Sequence, residues 1–226
     1  MLPPKYGLAV ALACASPAVA YCAAKPHAVA LGAARHEPYS IEGDPAGAQK
    51  DETQLSVRPL IVDTKVKEWT TGDAHDVTAR SFVVRRAVRL NDSLPTDRAA
   101  RWVWQRGPWL LVDRDTGKIT ALHLPDFDPA VSSPVWFRDY AAYCGLNSGG
   151  KQLFAVVAQI AARRPLLAKK LAPWDATHRP SPACAPAVWQ RDPLKVSFQP
   201  ADGAAVSFDL VGSSAVLVED GDEGTE

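Results

Sequence analysis

Three copies of one short phrase constrain this chain more than any other feature. They are Val103-Trp104-Gln105-Arg106-Gly107, Val135-Trp136-Phe137-Arg138-Asp139 and Val188-Trp189-Gln190-Arg191-Asp192. An apolar run, a turn and a second apolar run follow each copy. In the first, Trp109-Leu110-Leu111-Val112 precedes Asp113-Arg114-Asp115-Thr116-Gly117-Lys118, and Ile119-Thr120-Ala121-Leu122 returns. In the second, Tyr140-Ala141-Ala142-Tyr143-Cys144 and Leu153-Phe154-Ala155-Val156-Val157 flank Asn147-Ser148-Gly149-Gly150. In the third, Leu194-Lys195-Val196-Ser197-Phe198 and Val206-Ser207-Phe208-Asp209-Leu210 flank Ala201-Asp202-Gly203. Gly beside Asp, Asn or Ser supplies the positive φ that tight hairpin turns require. The unit therefore reads as a β-hairpin opened by a Trp. With 19 prolines and 14 glycines in 226 residues, interruptions are frequent, which suits short strands better than long helices.

Upstream of the repeats, Leu55-Ser56-Val57 and Leu60-Ile61-Val62 are strand material, and Thr70-Thr71-Gly72-Asp73 signals a turn. Residues 82–90 alternate. Phe82, Val84, Val88 and Leu90 share one face, Arg85 and Arg89 the other, and Arg86 is the exception. Asn91-Asp92-Ser93-Leu94-Pro95 ends that strand. Residues 153–162 carry enough Ala for a helix, but alignment with the other repeats makes the stretch to Gln159 a strand, broken at Arg163-Arg164-Pro165. Residues 173–186 read as a Pro-rich loop.

The ends differ in character. Lys5, the apolar residues 7–15, Pro17 and the small-x-small site Ala18-Val19-Ala20 read as a signal peptide over residues 1–20. The apolar run is too short to span a bilayer. Residues 21–54 read as a flexible linker and residues 55–218 as the β-rich domain. Residues 219–226, with five acids and no base, read as a disordered tail. Export places the chain in a periplasmic or extracellular space, where cysteines oxidise. Cys14 departs with the leader and Cys22 borders the cleavage site. Cys144 and Cys184 both lie within the repeats and are expected to pair. A formal charge of zero gives no bulk electrostatic drive toward nucleic acid or anionic lipid.

The stretch Pro134-Val135-Trp136-Phe137-Arg138-Asp139, with its two apolar runs and Gly turn, resembles a blade hairpin of TolB-type β-propeller repeats. Pro186-Ala187-Val188-Trp189-Gln190-Arg191-Asp192 resembles it as well, and the unit containing Gly107 less so. More broadly the chain resembles exported bacterial proteins. The likeness implies a small or incomplete β-propeller, but residues 55–218 barely reach four blades of about 40–45 residues each. An all-β domain is expected, its antiparallel hairpins forming an open meander or a two-sheet sandwich.

No motif names a reaction, cofactor or metal. Asp113-Arg114-Asp115-Thr116-Gly117 looks like a calcium loop but lacks the late acidic ligand, so a hairpin turn is expected. Asp126-Phe127-Asp128 lies between two prolines and reads as a solvated loop. The five histidines are dispersed, and no nucleophile elbow or phosphate loop is present. The candidate binding residues are Arg85 and Arg89 on one strand face, able to meet an anionic group, and Trp102, Trp104 and Trp109, which would form a stacking platform if exposed. These features make the chain an exported, non-enzymatic β-domain that binds an envelope protein or glycan, without nucleic acid and without a membrane span in the mature chain. The alternative is a hydrolase or carbohydrate-active enzyme using the dispersed carboxylates Asp126, Asp128 and Asp139. A purely structural spacer would bury both Trp102 and Trp109.

Overall fold

The computed structural model describes residues 27–41, 52–174, 182–212 and 214–218. The leader, Cys14, Cys22 and the acidic tail lie outside the described residues. Among the described residues fifteen strands run in chain order. They are β1 (Val29–Leu31), β2 (Arg35–Pro38), β3 (Gln54–Val62), β4 (Lys65–Thr78), β5 (Ser81–Asn91), β6 (Trp102–Asp113), β7 (Ile119–Ala121), β8 (Val135–Phe137), β9 (Tyr140–Leu146), β10 (Gln152–Gln159), β11 (Leu167–Pro173), β12 (Val188–Gln190), β13 (Lys195–Phe198), β14 (Val206–Val211) and β15 (Ser214–Val218).

Among the described residues these strands form three antiparallel sheets, none closed into a barrel. The first has the order β1-β3-β4-β5-β6-β7, with β2 also on β3; the second is β11-β10-β9-β8 and the third β12-β13-β14-β15. The expected all-β antiparallel architecture is present and fits a sandwich, with three sheets in place of the two expected. Three open sheets are fewer than the four or so blades a closed propeller requires. All three expected hairpins form, as β6–β7, β9–β10 and β13–β14. The Trp136 and Trp189 phrases open the two four-stranded meanders. The Trp104 phrase does not, because it lies inside the twelve-residue β6.

The layering follows from which faces are apolar. Cross-strand partners share a face. In the second sheet Ala141, Tyr143, Val156 and Ala158 pack on one side, with Trp136, Phe127 and Phe154. Ala142, Cys144, Leu153, Ala155 and Val157 pack on the other, together with Val196, Phe198, Phe208 and Leu210 of the third sheet. Covered on both faces, β9 and β10 read as nearly unbroken apolar runs, which explains why residues 153–159 lack a period of two.

Beyond the short β8, the outer edge of β9 is completed by loop groups. Ser132 Oγ donates to the Cys144 carbonyl at 2.7 Å and accepts from the Cys144 N–H at 3.1 Å. The Leu146 N–H donates to the Asp126 carbonyl at 2.8 Å. The Cys144 and Cys184 sulfurs stand 2.12 Å apart, as expected for the pair. They tie the middle sheet to the segment that enters the third.

Two expectations are corrected. The stretch read as a linker supplies β1 and β2, which pair with β3 at Val62 to Leu60 and Val57 to Gln54. Its alternation was hidden because β1 and β2 are only three and four residues long. The turn expected at Gly72 is instead an irregularity within β4, where pairing with β5 shifts between Thr71 and His75. Gly72 has φ of 70° with nothing within 4 Å of its missing Cβ, so backbone freedom, not packing, accounts for glycine there.

Candidate functional site

The residues expected to bind do not converge. Arg85 is 6% exposed. Its guanidinium lies 5.6 Å from the Trp109 ring and 5.7 Å from the Phe127 ring, and its Nε donates to the Gly107 carbonyl. Trp109 meets Trp136 edge-on at 5.3 Å, and His75 stacks on Trp136 at 6.2 Å. Phe127 continues the row to Tyr143 at 5.4 Å. Arg85 and Trp109 thus lie between the first two sheets, Arg85 buried and Trp109 half-buried. A buried arginine fits there because its flat face lies on aromatic rings while its N–H groups find acceptors.

Trp104 is also buried, packed edge-on against Trp69 at 5.6 Å. Trp102 and Arg89 do remain outside. Trp102 is 49% exposed, and the Arg89 guanidinium sits 5.0 Å from its ring. The platform expected from three Trp residues is therefore one exposed Trp with one face occupied. An irregularity in the β5–β6 pairing between Arg85 and Ala87, opposite Gly107 and Pro108, divides the strand that carries them. The exposure of Trp102 also departs from the purely structural reading.

The acidic candidates separate as well. Asp113 Oδ1 accepts from the Asp115 and Thr116 N–H groups, both at 2.9 Å, so its loop is the expected turn. The Thr116 N–H foremost holds that carboxyl below the ordinary aspartate range. Asp126 and Asp128 line a shallow groove of about 480 Å³ with His123 and Asn147. Asp128 Oδ1 accepts from the Ala130 N–H at 2.8 Å. Asp139 lies across β9 from them, receiving the Gln159 amide at 2.7 Å. Seven strand residues at ~3.3 Å each place it roughly 20 Å from the Asp126 end. That is well beyond the ~5–9.5 Å that separates paired glycosidase carboxylates. Among the described residues no group of three or more His, Cys, Asp or Glu is placed to hold a metal ion.

Between the β6–β7 hairpin and the end of β10 lies an apolar cleft of about 310 Å³. Leu111, Leu122, Leu124, Trp136 and Ile160 supply its apolar walls, and His123 and Arg164 are its charged or titratable lining. No carboxylate lines it. The indole N–H of Trp136 is buried and has no acceptor among the described residues. Ala161, another lining residue, holds φ of 66° in the turn after β10, a conformation that costs a non-glycine residue about 1 kcal/mol or more.

Sequence reading missed this site because its walls come from three separate stretches. Each is ordinary by itself. Of its walls only Trp136 belongs to a phrase that the sequence singles out.

Comparison with protein-family models, with curated proteins and with solved structures finds no match. What is established is the class of fold, an all-β protein of three layered antiparallel sheets. No described helix is long and apolar enough to cross a membrane, which does not bear on spanning by strands.

Proposed function

We propose that the chain is an exported, non-enzymatic β-domain that binds a partner in the cell envelope. The observation that carries the reading is the apolar cleft beside β7. It is of the size of small ligand sites, roughly 300–1,000 Å³, and has few polar groups to set orientation. Export is supported by the sulfur pair, since disulfides persist in oxidising compartments. The partner is an envelope protein or glycan. The hydrolase alternative has less support, because Asp139 stands apart from Asp126 and Asp128.

The test is cross-linking of the tagged full chain in its native envelope, followed by mass spectrometry of the adducts. A single dominant envelope partner is the expected result. A monomer that acquires no envelope protein or glycan would sink the proposal. Accumulation of the chain in a reducing compartment with both thiols free would sink the export half of it.

A further inference from the structure

The first sheet ends at β7, and the bonding of β7 shows which of its main-chain groups are unused. The Asp113 N–H donates to the Lys118 carbonyl at 3.0 Å and the Leu122 N–H to the Trp109 carbonyl at 2.8 Å. In an antiparallel pair, bonded and non-bonded positions alternate. Residues 118 and 122 are bonded to β6, and so is Thr120, opposite Leu111. Ile119 and Ala121 therefore turn their N–H and C=O groups to the outer edge. Among the described residues no strand lies there. Ala121 and Thr120 also line the apolar cleft.

We infer that the partner engages this site as an added strand: an extended peptide that pairs with Ile119 and Ala121, drops one apolar side chain into the cleft, and carries an acidic residue two positions away. The inference rests on the envelope-binding reading and supplies the chemistry of its partner. Edge pairing provides non-specific affinity through the main chain, and pockets for alternate side chains provide selectivity. Residues two apart on a strand face the same way, so one face of the peptide meets both the cleft and its rim. The rim explains the acid. Arg164 lines the cleft, Arg163 adjoins it, and no carboxylate lines it. Arg164 has no ion-pair partner among the described residues. A carboxylate there gains a bidentate partner, whereas a lysine would meet like charge.

The edge is testable because its bonding pattern separates two neighbouring substitutions. Ala121→Pro removes an outward N–H and leaves the β6 ladder intact, the one strand position where proline is tolerated. Thr120→Pro removes a ladder bond. The probes are fluorescein-labelled heptapeptides with threonine at alternate positions, a central leucine, and Glu or Lys two residues later. Binding to the full chain is read by anisotropy.

The Glu peptide should bind the native chain at least ten-fold tighter than the Lys peptide, and Arg164→Glu should invert that order. Ala121→Pro should weaken the Glu peptide ten-fold or more without lowering the thermal midpoint. A second measurement leaves the protein untouched: N-methylating the peptide amides on the pairing edge should cause a similar loss.

Binding of neither peptide, or equal binding after N-methylation, overturns the inference. If envelope cross-linking succeeds from other surfaces while both peptides fail, the strand-addition site is wrong and the envelope reading stands. If the peptides bind and no envelope partner is captured, the edge site stands and the envelope reading falls.

Discussion

The covalent link between the second and third sheets gives the most quantitative prediction. Cys144 and Cys184 are 40 residues apart in sequence. Closing a loop of that length removes chain entropy from the unfolded state worth about 4 kcal/mol. Both cysteines are 2% exposed, and the bridged segment makes its own bonds to its surroundings. The Ala183 N–H donates to the Val131 carbonyl at 2.9 Å, and the Ala185 N–H to the Gln199 carbonyl at 3.0 Å. These bonds survive reduction, so the native state should keep its topology while the unfolded state gains freedom. Cys144→Ala, Cys184→Ala and the double variant should each lose about 4 kcal/mol. The losses should not add, because either substitution opens the same loop. At about 2–4 °C per kcal/mol for a chain of this size, the thermal midpoint should fall by about 8–16 °C. The assay is denaturant unfolding of all four chains with and without reductant. Reductant should bring the parent to the level of the variants and leave the variants unchanged. Additive losses, or a parent insensitive to reductant, would refute the reasoning. Alkylation of both cysteines in denaturant without reductant would remove its premise.

Other consequences follow from single groups. Ser132→Ala leaves the buried Cys144 N–H and carbonyl without their edge partner and should cost about 1–3 kcal/mol, measured by the same unfolding. Tyr143 is buried, its hydroxyl donates to the Pro125 carbonyl at 2.5 Å, and burial first, then the Asp126 charge, pushes its ionisation well above the usual phenol range. The unfolded phenol ionises near ~10. Its contribution is therefore complete below that pH and is lost as pH rises toward the folded value. Tyr143→Phe should flatten the alkaline limb of stability, and ultraviolet titration of the folded parent should find one tyrosine that ionises only on unfolding. Trp189 donates its indole N–H to the Val135 carbonyl at 3.1 Å and stacks on Phe137 at 5.3 Å. Trp189→Phe keeps a ring and loses the bond, at a cost of about 1 kcal/mol, read from urea midpoints. Ala161→Gly relieves the positive φ and should raise stability by about 0.5–1 kcal/mol in the same urea series.

The hairpins were legible because turn chemistry is local. Glycine beside Asp or Asn between two apolar runs favours a reversal that lets those runs pair, although Gly72-Asp73 lies within β4 and makes none. The sulfur pair was legible from the position of both cysteines within the repeats. Layering was not legible, because a strand buried on both faces and a helix segment both present continuous apolar side chains, as residues 153–159 do.

The site was less readable than the fold for a related reason. Arg85 sits at the alternating position that reads as outward, and the alternation is real. Its face does point away from the Phe82 and Val84 cluster, but a second sheet covers that face, so the arginine is buried between aromatic rings. Period-two alternation assigns side chains to faces without saying which face meets water. In a two-layer protein the other face is solvent, and arginines there are surface groups. In a three-layer protein it is a second interior, and a charge on it must carry its own acceptors, as Arg85 does with the Gly107 carbonyl. In this layered arrangement Arg85 and Trp104 of the expected binding set are buried, and Trp102 and Arg89 stay outside.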